Sequence, residues 1–361
     1  MMKRIRILLL ALSITGVVAA QSNPRWSDFP LDSYSINPAS VDKYFANLKA
    51  GIQYRDQWVK FEGAPRTCSG FVTSYIDEVW LQPGLRFMAD KIGYTHSIDI
   101  NPTLAYSINS KDAPWVLNFG VGFHVHNFYY NTKEIVFEDE IMRNNLPDDV
   151  YEKKWSTNFD VGAEFAITFD RYPNSRETEL LIGVVSQNLL SYWKDDLTPF
   201  ANTNFGYAQL RQPVNSSQDF LLGASFMHSK NQYAPGKYSS NINQWEFNLK
   251  YRFYFDDSRT NGLSQFLSPG ILFRTRRTWA PSTREFGIFL EYDWMRFVTI
   301  ACTYEYPLSA VTRAANTWGT FELICIVRFG HPSEKPYSIK DKNKKWECKF
   351  PSGKTHDNGV Y

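Results

Sequence analysis

From Trp115 to Val125 the chain alternates without a slip. Trp115, Leu117, Phe119, Val121, Phe123 and Val125 fall on one face, and Asn118, Gly120, Gly122, His124 and His126 fall on the other. A period of two makes a strand with unlike faces and cannot make an amphipathic helix. The pattern returns from Phe159 to Phe169, where Phe159, Val161, Ala163, Phe165, Ile167 and Phe169 oppose Asp160, Gly162, Glu164 and Thr168. It returns again at Trp245, Phe247, Leu249, Tyr251, Phe253 and Phe255 against Glu246, Asn248, Lys250 and Arg252. Further copies are Leu48 to Arg55, Ile98 to Ile108, Phe286 to Trp294 and Phe321 to Phe329.

A soluble β-sandwich alternates too, and two features separate it from a membrane barrel. Many of these segments hold the pattern for about 9 to 13 residues, the length that crosses a bilayer at a tilt, whereas soluble strands run to about 5 or 6. Aromatic residues also gather at strand ends, where barrels anchor their rings at the two membrane interfaces. The chain of 361 residues holds 27 Phe, 21 Tyr and 11 Trp, an aromatic load of 16% that a soluble core seldom needs. Past residue 20 there is no apolar run of about 18 residues, and mean hydropathy is −0.38, so a polytopic helical membrane protein is excluded. With 39 basic and 37 acidic residues the net charge is +2, which gives no footprint of a nucleic-acid partner.

The expected fold is all-β: a closed antiparallel transmembrane β-barrel of about fourteen strands in the outer membrane, at roughly 20 residues per strand and connection. Residues 1–20 read as a signal peptide, with Lys3, Arg4 and Arg6 ahead of Ile7 to Val18 and small residues Ala19 and Ala20 before the cleavage point. Residues 21–43 form a periplasmic or lumenal lead-in, 44–330 the barrel, and 331–361 a basic tail. An even strand number puts both termini on the periplasmic side. The tail carries seven lysines and four acids, a net of 7 − 4 = +3, with Trp346 in its middle. It reads either as a disordered terminus or as a docking segment for a periplasmic partner. The longest connection, Asn131 to Trp155, is acid-rich and expected to be an extracellular loop.

Parity assigns both signs of charge to the lumen: Lys49, Arg55, Lys250, Arg252, Arg274, Arg276 and Arg328 with Asp99, Asp160, Glu164, Glu246, Glu291, Asp293, Glu305 and Glu322. Lone charges in a narrow interior are costly, so such a wall pairs across strands, and this favours a filled or plugged lumen over a wide channel. His124 and His126 point the same way and could begin a metal site, with Asp99 or Glu164 as the nearest third ligand; the expectation is a polar pair without metal. No nucleophile elbow, phosphate-binding loop, HExxH or calcium loop occurs, so no catalytic residue, cofactor or metal is expected and the chain does not read as an enzyme. Four cysteines, Cys68, Cys302, Cys325 and Cys348, allow three pairings, and the outward parity of Cys302 and Cys325 fits small lipid-facing residues as well as a bridge.

Several segments are familiar in their order. They are "NPRWSDFPLDSYSINPAS" from Asn23, "YRDQW" from Tyr54, "DKIG" from Asp90, "YSI" from Tyr106, "YEYPLS" from Tyr304 and "FELICIVRFG" from Phe321. Together they resemble the PorP/SprF family of type IX secretion system membrane proteins of Bacteroidetes. Ser27, Phe29, Asn37, Pro38 and Ala39 match the family's opening stretch, while Val41 and Asp42 stand where Ala-Gly is usual. The resemblance implies an outer-membrane barrel of the secretion and gliding machinery that helps export, or holds adhesin-like cargo at the surface, with other type IX components and the lipid bilayer as partners. It carries no catalytic residues. The competing reading is a general or substrate-specific porin. The expected partner-binding residues are Asn37 and Pro38 in the lead-in, whose alternative is a plain linker, and Trp346 in the tail; the Asn-Pro pair should start a turn.

Overall fold

The structure is a computed structural model. It describes residues 26–329 apart from 30, 42–47, 62, 77–78, 110–113, 131–153, 170–177, 193–200, 216, 232–239, 256–264, 278–282, 296 and 309–317. The expected signal peptide, the tail with Trp346 and Cys348, and nearly all of the acidic stretch expected to be a loop therefore lie outside the described residues.

Fourteen strands follow one another: β1 (Leu48–Asp56), β2 (Arg66–Thr73), β3 (Leu81–Ile92), β4 (Thr95–Asn109), β5 (Trp115–Tyr130), β6 (Lys154–Phe169), β7 (Thr178–Gln187), β8 (Thr203–Asn215), β9 (Gln218–Asn231), β10 (Ser240–Phe255), β11 (Gln265–Arg277), β12 (Thr283–Trp294), β13 (Val298–Pro307) and β14 (Thr320–Phe329). Each pairs with its neighbours in sequence, and β14 returns to β1 from Leu48↔Phe329 to Asp56↔Phe321, so the sheet closes and leaves no edge. The fold is the closed antiparallel barrel that alternation implied. No helix among the described residues is long and apolar enough to cross a membrane.

Strand length departs from the sequence reading at both ends of the range. β2 has 8 residues, while β5, β6 and β10 have 16 each. Sixteen residues at about 3.3 Å span roughly 50 Å, well beyond a hydrocarbon core of about 30 Å. Alternation marks only the part that lipid faces; beyond it the ladder continues through residues such as Asn127 and Asn243, which need no apolar side.

The outward face is apolar and exposed along its length, with Phe119 and Val121 on β5, Phe247 on β10, and Ile288 and Leu290 on β12. Rings meet across strands on this face, Phe123 with Phe159 at 5.0 Å and Phe226 with Trp245 at 4.5 Å. In water a belt of this kind would drive association; in a bilayer it is the surface that lipid covers. The inward face is the reverse. Every charge that parity assigned to the lumen is buried, apart from Arg276, whose side chain is outside the described residues. Cys68, Cys302 and Cys325 are free thiols. Cys302 stands opposite Leu323 and Cys325 opposite Ile300, an offset of two that is too wide for a bridge.

Candidate functional site

Residues 26–29 and 31–41 lie inside the barrel and fill part of it. Their contacts go to strands all the way round the wall, which only a segment in the lumen can reach. The segment is compact in itself. A single 3-10 turn spans Ser33–Ser35, and a second turn closes from Asn37 to Ser40, where Ser40 N donates to Asn37 O at 3.0 Å and Ala39 N to Asn37 Oδ1 at 2.9 Å. Pro38 presets the backbone at the second position of that turn, and Asn37 supplies the side-chain acceptor, so the Asn-Pro pair does initiate one.

The first part of the segment is held by charge. Ser27 N donates to Glu322 Oε2 at 2.8 Å, and its hydroxyl sits among Glu305, Glu322, Arg55 and Arg274. Those four side chains pair with one another, Arg55 with Glu322 and Glu305 and Arg274 with Glu305 at 2.8 Å, and Arg274 also meets a fifth, Glu246, at 2.9 Å. Asp28 Oδ1 lies 2.5 Å from Lys250 Nζ, which also meets Glu291 at 3.1 Å. Asp32 accepts from Lys49 Nζ at 3.0 Å and Gln53 Nε2 at 3.1 Å. Burial holds the Asp28 carboxyl above its ordinary range, because one ammonium shared with Glu291 does not offset the loss of water.

The second part is held mainly by neutral groups and by shape, with one guanidinium, Arg86, on its Tyr34 and Ser35 carbonyls. The Asn37 amide donates to Ala163 O at 3.2 Å and to Tyr207 Oη at 3.0 Å, and Tyr207 Oη in turn donates to Glu164 Oε2 at 2.6 Å. Gln187 donates to Ile36 O at 2.7 Å, Gln82 to Ser40 O at 2.9 Å, and Tyr34 Oη meets Thr103 Oγ1 at 2.6 Å. Phe29 and Ile36 pack on inward-facing Val116, Leu181, Val185 and Phe205, while Tyr34 packs on Phe71, Ile324 and Ile326. The wall makes room at two glycines. A Cβ on Gly120 would strike the backbone of Pro38 and Ala39, and one on Gly162 would strike the Asn37 side chain.

A second cluster lies beside this one. Asp99 bridges the two histidines, with Oδ2 at 2.8 Å from His124 Nδ1 and Oδ1 at 2.9 Å from His126 Nδ1. The two rings stack at 4.9 Å, 13° from parallel. His124 Nε2 lies 2.6 Å from Asp160 Oδ2, and His126 Nε2 lies 3.3 Å from Asn188 Oδ1. Asn101 packs beside the His124 ring. Arg86 ties the cluster to the lumenal segment, donating to Asp160 at 2.9 Å and to Ser35 O at 3.1 Å.

Of the residues singled out from sequence, Asn37 and Pro38 are both buried within this assembly, and Trp346 lies outside the described residues. The third residue beside the histidines is Asp99; the other candidate, Glu164, is engaged with Tyr207. Ser27, Asp28 and Asp32 fall in the lead-in stretch that the sequence singles out, although alternation alone does not show which wall residues they meet or what Gly120 and Gly162 are for. A signal for the glycines was present, since an inward glycine within a strand marks close approach by another backbone.

In overall architecture the chain resembles known outer-membrane barrels. Omp33 of Acinetobacter baumannii is 11% identical at a TM-score of 0.38, covering 80% of this chain and 100% of its own. The β domain of the Bordetella autotransporter BrkA is 9% identical at 0.36, covering 79% and 100%. The deletion mutant of the TodX monoaromatic hydrocarbon channel is 6% identical at 0.41, covering 82% and 92%. These are likenesses of architecture, and nothing of their function passes to this chain. No curated protein sequence matches it. The family model described as "Type IX secretion system membrane protein PorP/SprF" matches residues 18–327, and the chain therefore belongs to the PorP/SprF family of outer-membrane type IX secretion components.

Proposed function

We propose that this barrel serves type IX secretion as a closed, partner-engaging component that helps export specific adhesin-like cargo or holds it at the cell surface, without acting as a solute channel or an enzyme. The observation that carries this is the lumenal segment, residues 26–29 and 31–41, pinned to the wall on all sides by buried polar groups. A general porin keeps a water-filled lumen lined by solvated charge. Here, inward residues such as Ile324 and Ile326 are spent on the chain's own segment.

Both termini are placed on the periplasmic side in this reading, since an even number of strands returns the chain to the side from which it entered. The segment before Trp26 and the basic tail with Trp346 would then face other secretion components in the periplasm. Asn37 and Pro38 act in this scheme by fixing the lumenal segment, so that their effect on a partner runs through its seating.

Deleting the gene is expected to remove one or a few proteins from the cell surface while others exported by the same route remain, as read by surface proteomics. The purified barrel should show little steady conductance in planar bilayers. A large, steady, weakly selective conductance, together with an unchanged surface proteome, would establish the porin reading instead.

A further inference from the structure

We propose that Asp99, His124 and His126 form a binding site for one divalent transition-metal ion on the lumen wall. Adjacent strands bring them together: His124 and His126 alternate on the inward face of β5, and Asp99 is paired with His126 across the β4–β5 ladder. One ligand atom from each lies within 4.8 Å of the other two. All three residues are buried.

The direction in which the rings point is the independent observation. Both Nδ1 atoms converge on the same carboxylate, and both Nε2 atoms face away toward an oxygen, Asp160 Oδ2 for His124 and Asn188 Oδ1 for His126. Metal-binding histidines are oriented in just this manner, one nitrogen on the ion and the other N–H on a carboxylate or carbonyl that fixes the tautomer. An ion would replace the hydrogen bond between Asp99 and His124 Nδ1 and the close approach of Asp99 to His126 Nδ1. Binding would release the displaced proton to solvent, leave each imidazole with its proton on Nε2, and bring the carboxylate and the two Nδ1 atoms to metal–ligand distances of about 2.0–2.2 Å. Two imidazoles and a carboxylate select zinc, copper or nickel over calcium and magnesium, which prefer all-oxygen sites. Asp160 has a second partner in Arg86, which also holds the Ser35 carbonyl, so the ion would sit one side chain away from the lumenal segment.

The test uses the full-length protein in detergent, stripped with a chelator and titrated with Co2+, then with Zn2+ in competition with a chromophoric chelator. Intense visible bands of four- or five-coordinate Co2+ are expected, with about one ion per chain displaced by Zn2+. Asp99→Asn and His126→Ala should abolish binding, Asp160→Asn should weaken it by about 10 to 100-fold, and Glu164→Gln should leave it intact. Heat-modifiable migration on a gel checks that each variant is a folded barrel. If a variant fails that check, the wild-type Co2+ spectrum decides alone. Absence of those bands, or binding of equal strength in a folded Asp99→Asn variant, would overturn the site.

Discussion

The two halves of the lumenal segment are secured by different physics. Ser27, Asp28 and Asp32 meet Arg55, Arg274, Lys250 and Lys49, a buried ionic wall built by β1 and β10 to β14. From Tyr34 to Val41 the partners are mainly amides, hydroxyls and backbone carbonyls on β3 to β8, with the Arg86 guanidinium on the Ser35 carbonyl, and the fit is made by missing side chains at Gly120 and Gly162. A charged contact of this kind loses most when one partner is removed, because a buried ion is left with less compensation. A shaped contact loses most when something is added. The halves should therefore fail to opposite kinds of substitution.

The largest effect is expected on the ionic side, at Asp32. Its carboxylate serves a buried ammonium and a buried amide together, and Asp32→Ala withdraws it from both. Loss of one partner from a buried pair costs about 3 kcal/mol, which raises the unseated population on the order of 100-fold. Planar-bilayer recordings should show openings in this variant that the wild type lacks, and limited proteolysis should cut the segment faster. Added salt should do little, since buried pairs are screened far less than exposed ones. Openings that appear in the wild type at 1 M salt would mean that these contacts are solvated, and the contrast between halves would disappear.

The next effect is on the shaped side, and it bears on how much was legible in the sequence. Alternation fixed the barrel, its strand count and the inward charges, because a period of two needs no knowledge of what lies opposite. It could not show that a segment more than 80 residues away would press on Gly120, although Asn37 and Pro38 were visible as a turn. Ile324 and Ile326, placed inward by the parity of Glu322 and Arg328, were a further hint: apolar residues in a lumen imply an apolar occupant. The histidine cluster was half legible, since spacing puts His124 and His126 on one face but strand register is needed to choose Asp99 over Glu164. Gly120→Val should push residues 38 and 39 off the wall at a cost of about 1–3 kcal/mol. A cysteine at position 39 should then become reactive to a water-soluble maleimide, while one at position 28 stays protected. Equal labelling of both positions would show that the halves move as one body.

The smallest effect is expected at Asp28, although it makes the shortest ion-pair contact of the segment, 2.5 Å to Lys250. Lys250 already has Glu291, which Arg252 supports at 3.3 Å, and Glu246 adds a further negative charge nearby. Burial leaves the Asp28 carboxyl above its ordinary 3.8, so the seated segment takes up this proton more readily than the free one does. At this residue seating is most favourable once pH falls below the free value, and it weakens as pH rises through the raised value. Asp28→Asn keeps the shape and removes the ionisation, so it should change seating by less than about 1 kcal/mol at neutral pH, where a lost ion pair and a lost burial cost oppose each other. Opening frequency in the wild type should carry a pH-dependent component above 3.8 that Asp28→Asn removes. If Asp28→Asn instead opens the barrel as widely as Asp32→Ala, the Lys250 contact is a principal anchor and the ionic half depends on both of its carboxylates.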